Sequence, residues 1–279
     1  MKTRIASGVV GLVLLALVLW AGNVVLSLAV SLICLIALNE FYKSVSNAGY
    51  RPVRSLGYLS ALLLVFLGFE YSFESIKEIL NKMMSMQFLA LFIFLGVMFL
   101  FSFIIFLNDK YNIIDISLSF FSLFYITFLF SFIILTRNIE MGSYLVWFIF
   151  IGAWATDTFA YFSGRLFGKR KLILSISPKK TVEGAIGGVF GCMLITIVYG
   201  LYLLNANVLD KVPLYYFAGL GLLCGVISQL GDLAASSVKR YVNVKDYGDI
   251  MPGHGGALDR FDSILFCAPV VYFYISFLF

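Results

Sequence analysis

Charged side chains are scarce in this sequence of 279 residues. Asp, Glu, Lys and Arg together make up 13% of the chain, whereas about a quarter of the residues of an ordinary soluble domain are charged. Hydrophobic residues make up 61%, and the mean hydropathy is +0.98. No polar block of domain size interrupts the apolar sequence. The composition therefore argues against an ordinary soluble domain and predicts a single transmembrane domain over residues 1–279.

Cysteine pairs are also lacking. Cys34, Cys192, Cys224 and Cys267 all fall within apolar runs, and none belongs to a CxxC motif. This pattern favours buried small hydrophobes over disulfides or metal ligands. The N-terminal apolar run is followed by no clear A-x-A cleavage site, and another apolar run begins at once. We therefore interpret it as the first membrane helix rather than as a signal peptide.

Long apolar runs take the place of polar sequence. A run of about twenty residues is long enough to span a bilayer core, and such runs recur from end to end. We predict an all-α, polytopic integral membrane protein with about nine transmembrane helices. The runs lie near residues 5–20, 24–38, 56–69, 88–107, 113–135, 144–163, 182–204, 214–234 and 263–279.

The placement of Lys and Arg predicts the orientation of these helices. If the N-terminus is cytoplasmic and the C-terminus outside, all but four of the 20 Lys and Arg residues fall on cytoplasmic segments, as the positive-inside rule requires. The four on the outside are Lys77, Lys82, Arg137 and Lys211. Residues 70–87, which lie outside in this topology, have a one-sided helical pattern that fits an interfacial helix or an ordinary loop helix.

Glycines four residues apart occur in two of the runs. Gly184 and Gly188, and likewise Gly221 and Gly225, have the spacing that lets helices approach closely in lipid. Helix packing is the interpretation that we favour, and close approach to a ligand is the alternative.

The main concentration of chemistry is a stretch near the end of the chain. Five of the 15 carboxylates lie between Gly231 and Ser263, and all five are aspartates. Such carboxylates repel one another unless cations join them, and Mg²⁺ is bound by one or two carboxylates together with phosphate oxygens. We expect Asp232, Asp259 and Asp262 to converge on a metal. Asp246 and Asp249 are lower-ranked candidates to bind metal or to order the loop.

The same stretch contains the turn PGHGG and the only histidine, His254. Glycines let a chain approach a ligand closely, and their N–H groups can hold phosphate. Gly255 and Gly256 are therefore candidates to bind substrate. His254 is open to several roles, and we favour ligand or phosphate contact over general base. A solvated loop of mixed charge is the alternative for the whole stretch.

Two upstream segments complete the constellation. Asp157 lies in or near the membrane, where an ionisable residue is a functional candidate, although it could merely fix helix packing. Lys179 and Lys180 precede a run whose start is marked by Thr181 and Glu183. Lysines beside a helix N-terminus suit a polyphosphate, although the positive-inside rule alone would place lysines there. Metal-binding aspartates with phosphate-binding lysines suit phosphoryl or nucleotidyl transfer to a lipid.

The stretch SSVKRYVNVKDYGDIMPGHGGALDRFDS resembles the diagnostic motif of the phosphatidate cytidylyltransferase family, also called CDP-diacylglycerol synthases. Met251 and Ala257 are mild departures from it. DTFAYFSGRLFGK and SPKKTVEG also look like family segments, so the resemblance covers about residues 150–265. The matching positions are Ser236, Lys239, Arg240, Lys245, Asp246, Pro252, His254, Gly255, Gly256, Asp259, Arg260 and Asp262.

The resemblance implies a reaction of CTP with phosphatidic acid that gives CDP-diacylglycerol and pyrophosphate, with Mg²⁺ as cofactor and a second cation conceivable. It implies a catalytic half over 141–279 and N-terminal membrane helices over 1–140. Asp232, Asp259, Asp262, Lys239 and His254 are then the catalytic candidates. The candidates for substrate binding are Lys179, Lys180, Arg240, Lys245, Gly255, Gly256, Arg260 and Asp157.

Other functions stay open from the sequence. One alternative is an enzyme that uses a nucleotide on a different lipid, and another is an ion-coupled transporter. Transporter sites usually lie near the bilayer midplane, whereas four of the five clustered aspartates lie outside the apolar runs. We expect CTP, phosphatidic acid and membrane lipids as partners, no nucleic acid, and an active site on the cytoplasmic side of the cell membrane. A homodimer is expected only from the general tendency of proteins to form symmetric dimers.

Overall fold

The computed structural model describes residues 2–69, 86–107, 109–209, 212–250 and 255–278, and most of these residues are helical. Each predicted apolar run falls largely on one helix or on consecutive helical segments. The interfacial helix predicted over residues 70–87 and the predicted ligand His254 fall largely or wholly outside the described residues. The helices are α1 Lys2–Trp20, α2 Asn23–Asn47, α3 Arg54–Phe69, α4 Met86–Phe106, α5 Ile113–Ser122, a π-helical stretch Leu123–Phe128, α6 Leu129–Asn138, α7 Gly142–Leu145, α8 Trp147–Phe167, α9 Val182–Asn205, α10 Leu214–Tyr241 and α11 Leu258–Leu278.

The helices confirm an all-α membrane protein. Within the described residues, six helical segments are long and apolar enough to cross a membrane, and three shorter apolar helices accompany them. The count of nine spans and the orientation of the termini stay predictions. The six long segments are Asn23–Asn47, Ile113–Asn138, Gly142–Phe167, Val182–Asn205, Leu214–Tyr241 and Leu258–Phe277.

Two compact units make up the fold, and the first consists of Met1–Ile134 with Tyr247–Leu258. The chain turns from α1 into α2 at Gly22, whose φ of 105° favours glycine. Helix α2 then packs along α3, where the Ser31 hydroxyl donates to the carbonyl of Ala61 at 2.7 Å. A Cβ at Gly57 would overlap the Tyr42 hydroxyl. Small and hydroxyl-bearing residues thus let these two helices approach closely in lipid.

The second unit consists of Leu135–Asp246 and Asp259–Phe279, and helices α8, α9 and α10 pack closely within it. Glycines form the contact surface, as their spacing predicts. A Cβ on Gly188 would lie 2.9 Å from the carbonyl oxygen of Thr156 on α8. A Cβ on Gly225 would lie 2.8 Å from the Cα of Val189 on α9. For these glycines the packing interpretation therefore accounts for the residue type.

A short hairpin stands between α8 and α9, where the sequence suggested a loop. Strands β1 (Lys171–Ile173) and β2 (Ser177–Thr181) pair antiparallel. The Thr181 side chain accepts from the N–H of Gly184 at 3.1 Å, which caps α9. Glu183 accepts from the backbone N–H groups of Lys169 and Arg170 at 3.1 and 3.2 Å. These contacts confirm the predicted helix start and hold the hairpin against it.

Replacing Gly221 by alanine is expected to lower the stability of the second unit. The new Cβ would lie 2.6 Å from the Cα of Met193 and closer still to the Thr196 hydroxyl. That hydroxyl is held by the Phe217 carbonyl at 3.1 Å, so it cannot simply turn away. Overpacking of this kind costs about 1–3 kcal/mol. Thermal unfolding in detergent measures the loss as a lower Tm.

Gly96 supplies the matched control for this substitution. It lies inside α4, and a Cβ there would meet no atom within 4 Å. Because alanine is a better helix former than glycine, Gly96→Ala should leave the Tm unchanged or raise it. A Gly221→Ala protein as stable as Gly96→Ala would show that the α9–α10 contact does not need glycine.

Candidate active site

The C-terminal part of α10 carries two of the predicted catalytic residues. Asp232 and Lys239 are two helical turns apart, so they share one face of the helix. Between them, the Ser236 hydroxyl donates to Asp232 Oδ1 at 3.3 Å. The helix continues to Tyr241, well past the end of the apolar run predicted near residue 234. Lys239 and Arg240 therefore lie on a helix rather than in a loop.

The first ion pair of the site joins α10 to the hairpin. Lys180 Nζ on β2 lies 2.6 Å from Asp232 Oδ2. The two side chains are 25% and 28% exposed, although the Lys180 Nζ atom itself is buried. Because partly exposed charges are screened more than buried ones, exchanging either partner for a ligand costs less here than in a buried pair.

The second ion pair joins α10 to α11 and is buried. Lys239 Nζ lies 2.7 Å from Asp259 Oδ1, and the two side chains are 9% and 3% exposed. Asp259 occupies the first turn of α11, which begins at Leu258. The predicted helical spacing of Asp259 and Asp262 is confirmed, since both lie on α11.

Three carboxylates from three helices interact at this site. Asp262 is buried, and the backbone N–H of Ser263 donates to its Oδ1 at 2.7 Å. Its carboxylate is close enough to those of Asp232 and Asp157 for electrostatic repulsion, and close enough to Lys239 for attraction. Asp157 on α8 interacts with Asp232 in the same way, so the three helices present negative charge to a common region.

Positive charge surrounds these carboxylates. Lys180 and Arg260 both attract Asp157. The Arg240 guanidinium donates from Nε to the carbonyl of Ile176, and from Nη1 to that of Val244, each at 3.4 Å. Arg240 thereby connects the end of α10 to the hairpin loop. The remaining predicted residues of this unit are exposed, namely Lys179 on β2 and, after α10, Lys245 and Asp246.

Three of the predicted residues that the structure describes belong to the first unit instead. Asp249 is exposed, and Gly255 has a φ of 84° that favours glycine. Gly256 is buried, and a Cβ there would lie 2.5 Å from Oε2 of Glu40 on α2. The close approach of this carboxylate is a reason for glycine that the sequence did not reveal. Glu40 itself was missed because it follows the apolar run predicted to end near residue 38.

The site residues offer oxygen donors for a divalent cation, but lysines occupy part of the donor set. Among the described residues, no three His, Cys, Asp or Glu side chains form a group spaced to bind a metal as they stand. Asp232 and Asp259 are engaged by lysines instead. The chemistry of the donors nevertheless fits Mg²⁺, because Asp232 and Asp262 are hard oxygen donors whose mutual repulsion a cation would relieve. Mg²⁺ needs only one or two carboxylates when phosphate oxygens complete its shell.

Comparison with known proteins assigns this arrangement to a family. The model of the cytidylyltransferase family matches residues 2–278. A phosphatidate cytidylyltransferase from Staphylococcus aureus (strain COL) is 33% identical over 272 residues, which cover 97% of each chain. The phosphatidate cytidylyltransferase from Bacillus subtilis (strain 168) is 33% identical over 279 residues, covering 99% of this chain and 98% of the relative.

Proposed function

The chain belongs to the cytidylyltransferase family, and from this membership we propose that it transfers the cytidylyl group of CTP to phosphatidic acid, giving CDP-diacylglycerol and pyrophosphate. It is an enzyme and an integral membrane protein. The relatives that share its full length carry the name of this activity. The resemblance that rests on residues 150–265 therefore extends over nearly the whole chain.

The observation that carries the proposal for the site is the meeting of paired lysines and interacting aspartates in the second unit. Lys180 and Lys239 are each held by a carboxylate. A triphosphate presents several anionic oxygens, so it can replace these carboxylates as the partner of each lysine. We propose that Lys179, Lys180, Lys239 and Arg240 hold the CTP phosphates or the phosphatidate headgroup.

The proposed reaction is a displacement at phosphorus. A phosphate oxygen of phosphatidic acid forms a bond to the α-phosphorus of CTP, and the bond from that phosphorus to the bridging oxygen of the β-phosphate breaks. Pyrophosphate leaves with the electron pair of that bond. Because the attacking phosphate is already anionic, the step needs no covalent enzyme intermediate and little general-base assistance. The residues contribute positioning and charge neutralisation.

Asp232 and Asp262 are the residues that would hold Mg²⁺, with Asp157 as a neighbouring carboxylate and Asp259 as an alternative ligand. Bound there, the ion would offset negative charge on the phosphate oxygens. Asp246, Asp249 and His254 are less direct candidates for contact with metal or phosphate. The number of aspartates near the site would also allow a second cation to bind.

We place the site on the cytoplasmic side of the membrane. The placement rests on the lysines and arginines near it, among them Lys179, Lys180, Lys239 and Arg240, because cytoplasmic segments are rich in such residues. CTP would then reach the site from the cytosol, and phosphatidic acid would enter from the bilayer. The nine-span topology and a homodimer belong to the same proposal.

The direct test uses the purified full-length chain in detergent. With CTP, phosphatidic acid and Mg²⁺, we expect release of pyrophosphate together with a CDP-lipid that mass spectrometry identifies. Omission of either substrate should abolish both products. Substitution of a polyprenol for phosphatidic acid tests for a different lipid acceptor, and it should give no product.

Chelation is expected to remove the activity. Excess EDTA should lower pyrophosphate release to background, because the aspartates would then repel the substrate phosphates instead of sharing a cation with them. Addition of Mg²⁺ in excess of EDTA should restore the rate. Full activity in EDTA would refute the magnesium site. Cation flux into liposomes without CTP turnover would instead support the transporter.

A further inference from the structure

Glu40 is a buried carboxylate within the first unit, on a part of the chain to which the proposed reaction assigns no role. It lies near the C-terminal end of α2, and its side chain is 3% exposed. A buried carboxylate is costly unless hydrogen bonds satisfy it. Two backbone N–H groups do so, since Ala257 donates to Oε1 and Leu258 to Oε2, each at 2.9 Å.

The described residues at the two ends of the segment Tyr247–Leu258 approach this carboxylate closely. A Cβ at Gly248 would lie 2.5 Å from Glu40 Oε1, and a Cβ at Gly256 would lie 2.5 Å from Oε2. Gly248, near the start of the segment, and Gly256, near its end, thus leave room for the Glu40 side chain. Because Glu40 approaches both positions so closely, any residue larger than glycine would have to displace it.

Neighbouring residues of α2 hold the same segment. The Ser44 hydroxyl donates to the carbonyl of Tyr247 at 3.4 Å. The rings of Phe41 and Tyr247 lie 6.5 Å apart between centroids, within the range of favourable aromatic pairs. One face of α2, formed by Glu40, Phe41 and Ser44, therefore receives both ends of the segment.

The anchored backbone leads directly into the proposed site. Leu258 is the first residue of α11, and the next residue in the chain is Asp259. The N–H groups at the start of a helix lack partners inside the helix, and a carboxylate near them is favoured by the helix dipole. Glu40 satisfies two such groups at once, at the residues where α11 begins.

We propose that Glu40 is a positioning residue of the cytidylyl transfer reaction, which acts by anchoring the backbone at Ala257 and Leu258 and thereby fixing the start of α11. It touches neither substrate nor metal in this role. The inference rests on the proposed function for its catalytic consequence, whereas the anchoring itself is independent of the reaction.

Glu40→Gln is the first test, because it preserves the volume of the side chain. The amide turns one acceptor into an NH₂ group that faces a backbone donor, so one of the two N–H groups loses its partner. Hydrogen–deuterium exchange of the full-length protein should then show faster exchange at Ala257 and Leu258. We expect kcat to fall about tenfold to a hundredfold, the order found when reacting groups are misplaced, with KM for CTP changed less than twofold.

A double-variant cycle distinguishes positioning from general damage. Gly248→Ala should lower kcat in the wild-type background, because the methyl group would displace Glu40. In a Glu40→Ala background the obstacle is gone, so the same change should have little further effect. Gly68→Ala is the control, since its Cβ would overlap Ser27 elsewhere in the first unit. It should lower the Tm without lowering kcat of the folded protein.

The outcomes separate the anchoring of the backbone by Glu40 from its positioning role in the reaction. Unchanged exchange at Ala257 and Leu258 in Glu40→Gln would refute the anchor. Faster exchange with normal kcat, or additive effects of Gly248→Ala and Glu40→Ala, would refute the positioning role. A wild-type chain that makes no CDP-lipid would refute the proposed function and its positioning residue together, and hydrogen exchange would still decide whether Glu40 anchors the segment.

Discussion

Replacing Asp262 by asparagine is expected to reduce the formation of CDP-diacylglycerol by at least about 10²-fold to 10³-fold, the loss found when one group that stabilises a transition state is removed. Asparagine keeps the shape of the side chain and can still accept from the Ser263 N–H, so the fold should survive. The amide is a poor ligand for Mg²⁺ in place of an anionic oxygen. Pyrophosphate release under saturating CTP, phosphatidic acid and Mg²⁺ measures the effect.

Although Asp262→Asn should lose activity, it should not lose thermal stability. Asp262 interacts unfavourably with Asp232 and Asp157 in the absence of a cation, so its neutralisation removes repulsion. The Tm measured without Mg²⁺ should therefore be at least that of the wild type. Asp109→Asn is the matched control, because Asp109 is an exposed aspartate of the first unit. It should change neither the rate of pyrophosphate release nor the Tm. An active Asp262→Asn enzyme would exclude Asp262 from the reaction.

The helices were largely predictable because the physics that forms them is simple. In a bilayer every backbone N–H and C=O needs a partner within the chain, so a long apolar run has to be helical. The predicted ends were less accurate where helices continue into polar sequence. Helix α2 extends to Asn47 and α10 to Tyr241, beyond apolar runs predicted to end near residues 38 and 234. Hydropathy indicates the part of a helix that contacts lipid. It does not report the backbone hydrogen bonds that extend the helix into polar sequence.

The composition of the site was more predictable than its pairing. The spacing of Asp259 and Asp262 indicates one helix turn, and the structure places both on α11. The partners of the lysines depend on how α10 packs against α11 and the hairpin, and no local pattern encodes that geometry. The role of Glu40 is hidden from the sequence for a related reason, since its partners are backbone groups more than 200 residues away along the chain. A lone acid directly after an apolar run was the available signal.

The two lysine–aspartate pairs differ in burial, and this difference predicts losses of stability of different size. Lys239→Met leaves Asp259 buried without its cation, and the loss of one partner of a buried pair costs about 3–5 kcal/mol. Lys180→Met breaks a pair in which both side chains are about a quarter exposed, and it should cost less because a partly exposed pair is screened more than a buried one. Thermal unfolding in detergent should therefore show a large loss of Tm for Lys239→Met and a small one for Lys180→Met.

A double variant tests whether the buried pair serves stability or catalysis. Replacing both members, as in Lys239→Met with Asp259→Leu, removes the unpaired charge together with its partner, and such apolar replacements are often neutral or stabilising. We expect the double variant to recover most of the Tm lost in Lys239→Met while pyrophosphate release stays near background. Recovery of both the Tm and pyrophosphate release would mean that the pair only supports the fold, because Lys239 would then not be needed to bind phosphate. Recovery of the Tm alone would show that the reaction needs the charges of this buried pair, at a cost to stability that an apolar core would avoid.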